Sequence, residues 1–279
     1  MSDQHRTVPV RRIGANSHAF NDFVTVEEPL ELRIEHYQNG RLQQSSVSVT
    51  MRTPGDDLDL AYGFLLSEGI VDSFSNVETA RTHSSEATAP SSDNTVVVRL
   101  REDCNFDPES LLRHFYTSSS CGVCGKVSLA AVDVHIPRRP ASRFRIPSKF
   151  VATLGDKLRQ RQIEFERTGG LHASAVFDRN GAIVRLREDI GRHNALDKLI
   201  GSYRDSDVAE LREHGLLLSG RASFELLQKA AIAGIPFVAS IGPPSTLAVD
   251  LARDQDITLI GFLREDSFNQ YHGDRVIHD

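Results

Sequence analysis

Cys121-Gly122-Val123-Cys124-Gly125 places two thiols three positions apart, between Ser118-Ser119-Ser120 and Lys126. Four kinds of chemistry suit such a pair. A structural zinc site needs two further ligands, which Cys104 and a histidine would have to supply; a second close cysteine pair is missing from the sequence. A thioredoxin-like redox centre wants its first cysteine at a helix N-terminus directly after a strand, whereas this pair reads as a loop. Inert cysteines are usually buried, which glycine and serine neighbours do not favour. The fourth reading is a sulfur carrier. An unperturbed thiol with a pKa of about 8.5 is only about 3% ionised at pH 7, and a cation such as Lys126 favours the anion. A carrier must also meet a donor and an acceptor, and a glycine-flanked tip permits both. The residues alone rank the carrier ahead of redox and zinc without closing either.

The elements around this tip follow from periodicity. Leu30, Leu32 and Ile34 alternate as a half-buried strand, Asn39-Gly40 supplies a hairpin turn, and Val47, Val49 and Met51 return. Leu58, Tyr62, Leu65 and Leu66 recur at helical spacing, with Gly69 placed to end the helix. Thr95–Leu100 reads as a strand and Asp107-Pro108 as a helix start. Farther on, Val151, Leu154, Leu158 and Phe165 predict one helix ending near Gly169-Gly170. His172–Phe177 and Ile183–Arg187 predict strands joined at Asn180-Gly181. Leu196, Leu199 and Ile200 predict another helix. Leu216–Leu218, Pro236–Ala239 and Ile257–Phe262 are short apolar runs of the buried parallel type, alternating with helices around Phe224–Ala233 and Ser245–Ala252. This pattern is an α/β fold with a covered sheet. The expected division is a disordered N-terminus (1–16), a smaller β-rich α+β domain (17–116), a mobile loop and linker carrying the cysteines (117–147) and an α/β domain (148–279).

Composition narrows the function classes. The chain has 279 residues, 25% of them charged, with a formal net charge of −6. That balance excludes a general nucleic-acid binder, which needs a basic field. One basic run, Arg138, Arg139, Arg143, Arg145 and Lys149, reads either as a solvated loop or as a contact for an anionic ligand or acidic partner. No apolar stretch is long enough for a membrane helix and no secretory signal is visible, so a cytoplasmic, reducing compartment is expected.

Five motifs occur in order: the cysteine segment, Thr168–Ala173 (TGGLHA), Glu188–Lys198 (EDIGRHNALDK), Ser219–Lys229 (SGRASFELLQK) and Gly261-Phe262. Together they resemble the FdhD-type formate dehydrogenase accessory sulfurtransferases, from about Glu28 to the C-terminus. The resemblance implies a cytidine-deaminase-like three-layer C-terminal domain. It also implies sulfur transfer from a cysteine desulfurase to the molybdenum bis(molybdopterin guanine dinucleotide) cofactor before its insertion into formate dehydrogenase. By that likeness Cys121 carries the persulfide and Cys124 assists, GDP mimics the bound cofactor, and a homodimer is expected. Where deaminases carry H-x-E and P-C-x-x-C, this chain has His193-Asn194-Ala195 and Gly220-Arg221-Ala222-Ser223-Phe224, so zinc-dependent deamination is not expected and no metal is assigned. Arg192, His193 and Arg221, at two helix starts, suit phosphate, with His193 reading equally as a satisfied helix-start residue. The same likeness assigns cofactor contacts to Phe262, Leu263, Arg264, Glu265, Asp266 and Ser267. Relatives often carry glycine where Glu265 and Asp266 stand; those carboxylates would repel phosphate, leaving backbone or guanine N–H contacts to this stretch.

Overall fold

The computed structural model describes residues 4–14, 16–82, 94–104, 106, 136 and 142–278. In chain order the elements are β1 (His5–Arg12), β2 (His18–Thr25), β3 (Glu28–Gln38), β4 (Arg41–Arg52), α1 (Asp57–Ser67), β5 (Val77–Thr82) and β6 (Thr95–Leu100). There follow β7 (Ile146–Pro147), α2 (Ser148–Ala152), α3 (Leu154–Arg161), α4 (Ile163–Thr168), β8 (His172–Phe177), β9 (Ile183–Asp189) and α5 (Arg192–Gly201). The chain closes with β10 (Gly215–Leu218), α6 (Phe224–Ala233), β11 (Phe237–Ser240), α7 (Thr246–Asp254), β12 (Thr258–Gly261), β13 (Asn269–His272) and β14 (Val276–Ile277).

The C-terminal half is built on a six-stranded sheet of order β13-β12-β11-β10-β8-β9. Its three central strands, β10, β11 and β12, run parallel, as their unbroken apolar runs predict. β8 is antiparallel to both neighbours. Successive side chains of β10 point to opposite faces. Leu216 and Leu218 join a core with α5, α6 and α7, while Leu217 joins a second core with α2 and α3. The second core centres on Phe144, Phe177 and Phe237, whose rings meet edge to face at 5.7–6.0 Å. The sheet is thus covered on both faces.

The N-terminal half is a four-stranded sheet, β4-β3-β6-β5, with α1 against it. One apolar cluster runs from Leu30, Ile34 and Val96 through Leu60 and Leu66 to Leu196, Ile200 and Leu226. The two halves therefore share a core. At the seam α1 and α5 touch backbone to backbone: a Cβ at Gly63 would lie 1.8 Å from the Asp197 carbonyl oxygen, and one at Gly201 would lie 1.9 Å from that of Asp59.

Two expectations need correction. The N-terminus expected to be disordered over 1–16 carries β1, paired with β2 in full register from His5↔Thr25 to Arg12↔His18. Its side chains are mostly exposed, so no apolar alternation marks it in sequence. What holds it is remote: His5 Nδ1 lies 2.8 Å from Glu164 Oε2, and the Thr25 hydroxyl donates to that of Thr168 at 2.9 Å. The single helix expected over Val151–Phe165 is three short ones. Gln162 leaves helical geometry (ψ 75°), and the turn lets the half-buried Glu188 carboxylate accept from the Glu164 and Phe165 N–H groups. The helix start expected at Asp107-Pro108 lies outside the described residues.

Candidate functional site

The parallel strands β10, β11 and β12 end together, and their following loops are stitched side by side. Ile241 N–H donates to the Leu218 carbonyl, Gly242 N–H to that of Gly220, Phe262 N–H to that of Gly242 and Leu263 N–H to that of Ser240. The loop Gly220–Ser223 and the segment Phe262–Ser267 thus lie side by side at the C-terminal end of a parallel sheet, the place where α/β folds form a ligand crevice. α5 begins beside it at Gly191.

The start of α5 is fixed from beneath. Asp189, fully buried, accepts from the Gly191 and Thr53 N–H groups. Its other neighbour is Lys198, also fully buried, with Nζ 2.7 Å from the carboxylate and 2.7 Å from the Thr53 carbonyl. Asn194 donates to Met51 O and accepts from the Thr50 hydroxyl. One turn on, Lys229 Nζ sits 3.0 Å from Asp197 and 2.7 Å from Glu68. Burial opposes the charge of both Asp197 and Lys229. At Lys229 the carboxylates of Asp197 and Glu68 prevail and hold its ammonium well above the ordinary range, whereas at Asp197 burial prevails and pushes the carboxyl up. Asp189, Asn194, Asp197, Lys198 and Lys229 all belong to the sequence motifs, yet they bind the two halves together rather than line the crevice.

Above this base two arginines and a histidine gather near His172. Burial pushes the His172 imidazole below its ordinary value, and the charges of Arg192, His193 and Arg221 add to the shift, against Asp189. The fold therefore brings Arg192, His193 and Arg221 into one field around His172. His172 and Ser219 also border a cavity of about 350 Å³ lined by Arg159, Gln162, Phe165 and Gly170. A larger cavity of about 790 Å³ lies apart from the crevice, among Asp56, Asp57, Asp59, Arg185, Arg187 and Arg204. Its charges answer one another: Arg187 lies 2.7 Å from Asp59, and Arg204 contacts the same carboxylate. The crevice is the better candidate because Arg192 and Arg221 enter no ion pair among the described residues, His193 alone meeting a carboxylate, that of Glu225.

The predicted residues divide. Cys121 and Cys124, with the basic residues Arg138 and Arg139, lie outside the described residues. Phe262 is 40% exposed and holds a left-handed backbone (φ 53°), while Leu263 is buried under the loop. Arg264 Nη1 donates to the Ile241 and Leu263 carbonyls, so this group fastens the loop. Glu265 and Asp266 are exposed, and Asp266 accepts from the Ser267 hydroxyl. Arg221 is exposed and Arg192 half-buried. His193 Nε2 approaches Glu225 Oε2 at 2.9 Å, off hydrogen-bond geometry. Sequence reasoning missed Glu225. An acidic residue in the first turn of a helix ordinarily reads as a partner for the helix dipole, so its position gave no distinguishing signal. Among the described residues no group of three or more His, Cys, Asp or Glu side chains could hold a metal ion, and no helix is long and apolar enough to cross a membrane.

These features define an α/β protein with a crevice bordered by basic residues at its strand ends and two cysteines in the preceding segment. The FdhD/NarQ family model matches residues 25–278, and the chain belongs to that family. It is 45% identical over 260 residues to the Streptomyces coelicolor protein called "Sulfur carrier protein FdhD", covering 91% of this chain and 89% of that one. A Mycobacterium tuberculosis protein of the same name is 46% identical over 265 residues, 91% of each chain. The crystal structure of a candidate formate dehydrogenase accessory protein from Desulfotalea psychrophila shares the fold, with a TM-score of 0.70 at 18% identity over 99% of this chain and 100% of that one.

Proposed function

We propose that this protein is a sulfur carrier that serves formate dehydrogenase. Cys121 accepts sulfur from a cysteine desulfurase as a persulfide, and the crevice holds the guanine dinucleotide end of the molybdenum cofactor that receives it. The observation that carries the first part is the likeness to relatives named as sulfur carriers across nine-tenths of the chain, joined to a thiol pair at a glycine-flanked position. The second part is supported by the field of Arg192, His193 and Arg221 around His172, which suits phosphate groups. The strand order, with β8 antiparallel beside three parallel strands, supports a cytidine-deaminase-like ancestry, with Ala195, Arg221 and Phe224 at the positions of lost catalytic and ligand residues. The working assembly is a cytoplasmic homodimer.

In this mechanism a desulfurase persulfide is attacked by the Cys121 thiolate, which takes the terminal sulfur and releases the donor's thiolate. Cys124 is secondary, since its attack on the Cys121 persulfide would expel the sulfur as sulfide and leave a disulfide. Intact mass after incubation with a cysteine desulfurase and cysteine tests this. The wild type and Cys124→Ala gain one sulfur atom and Cys121→Ala does not. Formate dehydrogenase maturation is abolished by Cys121→Ala and only reduced by Cys124→Ala. Sulfur gain by Cys121→Ala but not by Cys124→Ala would reverse the two roles.

A further inference from the structure

The starts of α5 and α6, beside the crevice, hold buried polar atoms that make no hydrogen bond. Among the described residues, six buried side-chain nitrogen and oxygen atoms lack a hydrogen-bond partner, and three of them are His193 Nε2, Ser223 Oγ and Glu225 Oε1. All three sit at the starts of α5 and α6. Buried polar groups in native proteins are paired in the great majority, and an unpaired one costs about 1–3 kcal/mol. Ser223 is the N-cap of α6 with extended backbone, where a serine hydroxyl ordinarily accepts from a first-turn N–H group. Here it makes no such bond. α5 starts at Gly191, which has no capping side chain. Two ten-residue helices therefore bring free N–H donors to one place. Glu225 is 8% exposed, with Oε2 near His193 and Oε1 unengaged.

A ligand that completes this cluster must give N–H donors to a carboxylate and an acceptor to backbone N–H and hydroxyl groups, side by side. The Watson–Crick edge of guanine has this pattern, with N1–H and the N2 amino group beside O6. Adenine has the inverse, a bare N1 beside the N6 amino group, and would set a lone pair against the carboxylate. We infer that Glu225 is the specificity-determining residue that reads guanine, accepting from its N1–H and N2 amino edge while Ser223 and the first-turn N–H groups of α6 serve O6. This rests on the reading of the crevice as a guanine nucleotide site. The phosphates then lie toward Arg192 and Arg221.

Calorimetry of the full chain with GDP, IDP, XDP and ADP tests the inference. Wild type should bind GDP best, IDP about tenfold more weakly for want of the N2 amino group, and ADP and XDP weaker still. Glu225→Gln should lose about tenfold or more for GDP and gain for XDP, because the carboxamide donates to xanthine O2 while still accepting from N1–H. Equal GDP affinity in wild type and Glu225→Gln overturns the role of Glu225 and leaves the nucleotide crevice standing. Absence of GDP binding in wild type overturns the crevice reading itself. If Glu225→Gln is not recovered folded, the wild-type series still decides: equal affinity for GDP and IDP, or for GDP and ADP, overturns the inference.

Discussion

Along α5, the side that meets α1 is closed and paired, whereas the first turn adjoins buried polar atoms that make no hydrogen bond. At the seam Gly63 and Gly201 bring two backbones into contact. There Asp189 has Lys198 and two backbone N–H groups, and Lys229 has Asp197 and Glu68. At the crevice Glu225 Oε1 and Ser223 Oγ make no hydrogen bond, and His193 Nε2 meets Glu225 Oε2 off hydrogen-bond geometry. Both regions draw on one unbroken motif, Glu188–Lys198. A helix turns about 100° per residue, so neighbours in a motif serve different faces. The contrast separates residues that make the protein stable from those that make it receptive.

The seam should respond most. Lys198→Ala leaves the Asp189 charge buried without its partner, and a loss of about 3–5 kcal/mol in denaturant unfolding is expected. A loss below about 1 kcal/mol would show that the Asp189–Lys198 pair does not fasten the halves. Gly63→Ala should cost about 1–3 kcal/mol or more, since the added methyl has only a backbone carbonyl to displace. An unchanged denaturation midpoint would mean that α1 and α5 can part at no cost.

The crevice should behave in the opposite sense. Arg221→Glu should change stability by less than about 0.5 kcal/mol, as exposed substitutions do, yet weaken GDP binding about tenfold or more. The same charge reversal at exposed Arg143 should weaken it less. Equal effects at both positions would reduce Arg221 to part of a general field. The smallest effect is on pH. The folded His172 value lies below the ordinary value of 6.5, so its neutral form is favoured in the fold. Its contribution to stability is complete above that ordinary value and is lost as pH falls through the lowered one. His172→Gln should therefore flatten the loss of stability between neutral and mildly acid pH, read as unfolding midpoints at several pH values. An unaltered slope would assign the acid response elsewhere, with buried His36, also lowered by burial, the next group to test.

Much of this architecture is legible in the sequence because its signals are local. The Asn39-Gly40 turn, the α1 periodicity and the apolar runs of β10, β11 and β12 each lie within a dozen residues. β1, β2, β5 and β13 are harder to read because their side chains are largely exposed and carry little alternation. The break at Gln162 depends on Glu188, which is distant in the chain. The site shows the same limit. Arg192, His193 and Arg221 are visible as basic residues at helix starts, but the burial of Glu225 and its approach to His193 exist only once α5 and α6 pack.

The N-terminal hairpin has a consequence for how the chain is made. Residues 5–25 leave the ribosome well before the groups that hold them, Glu164 and Thr168, which are 159 and 143 positions further on. A lone two-stranded hairpin is marginal in water. This early segment is therefore secured late, after α4 has formed. Until then the two strands can part and meet other nascent chains, the period in which exposed strands pair wrongly.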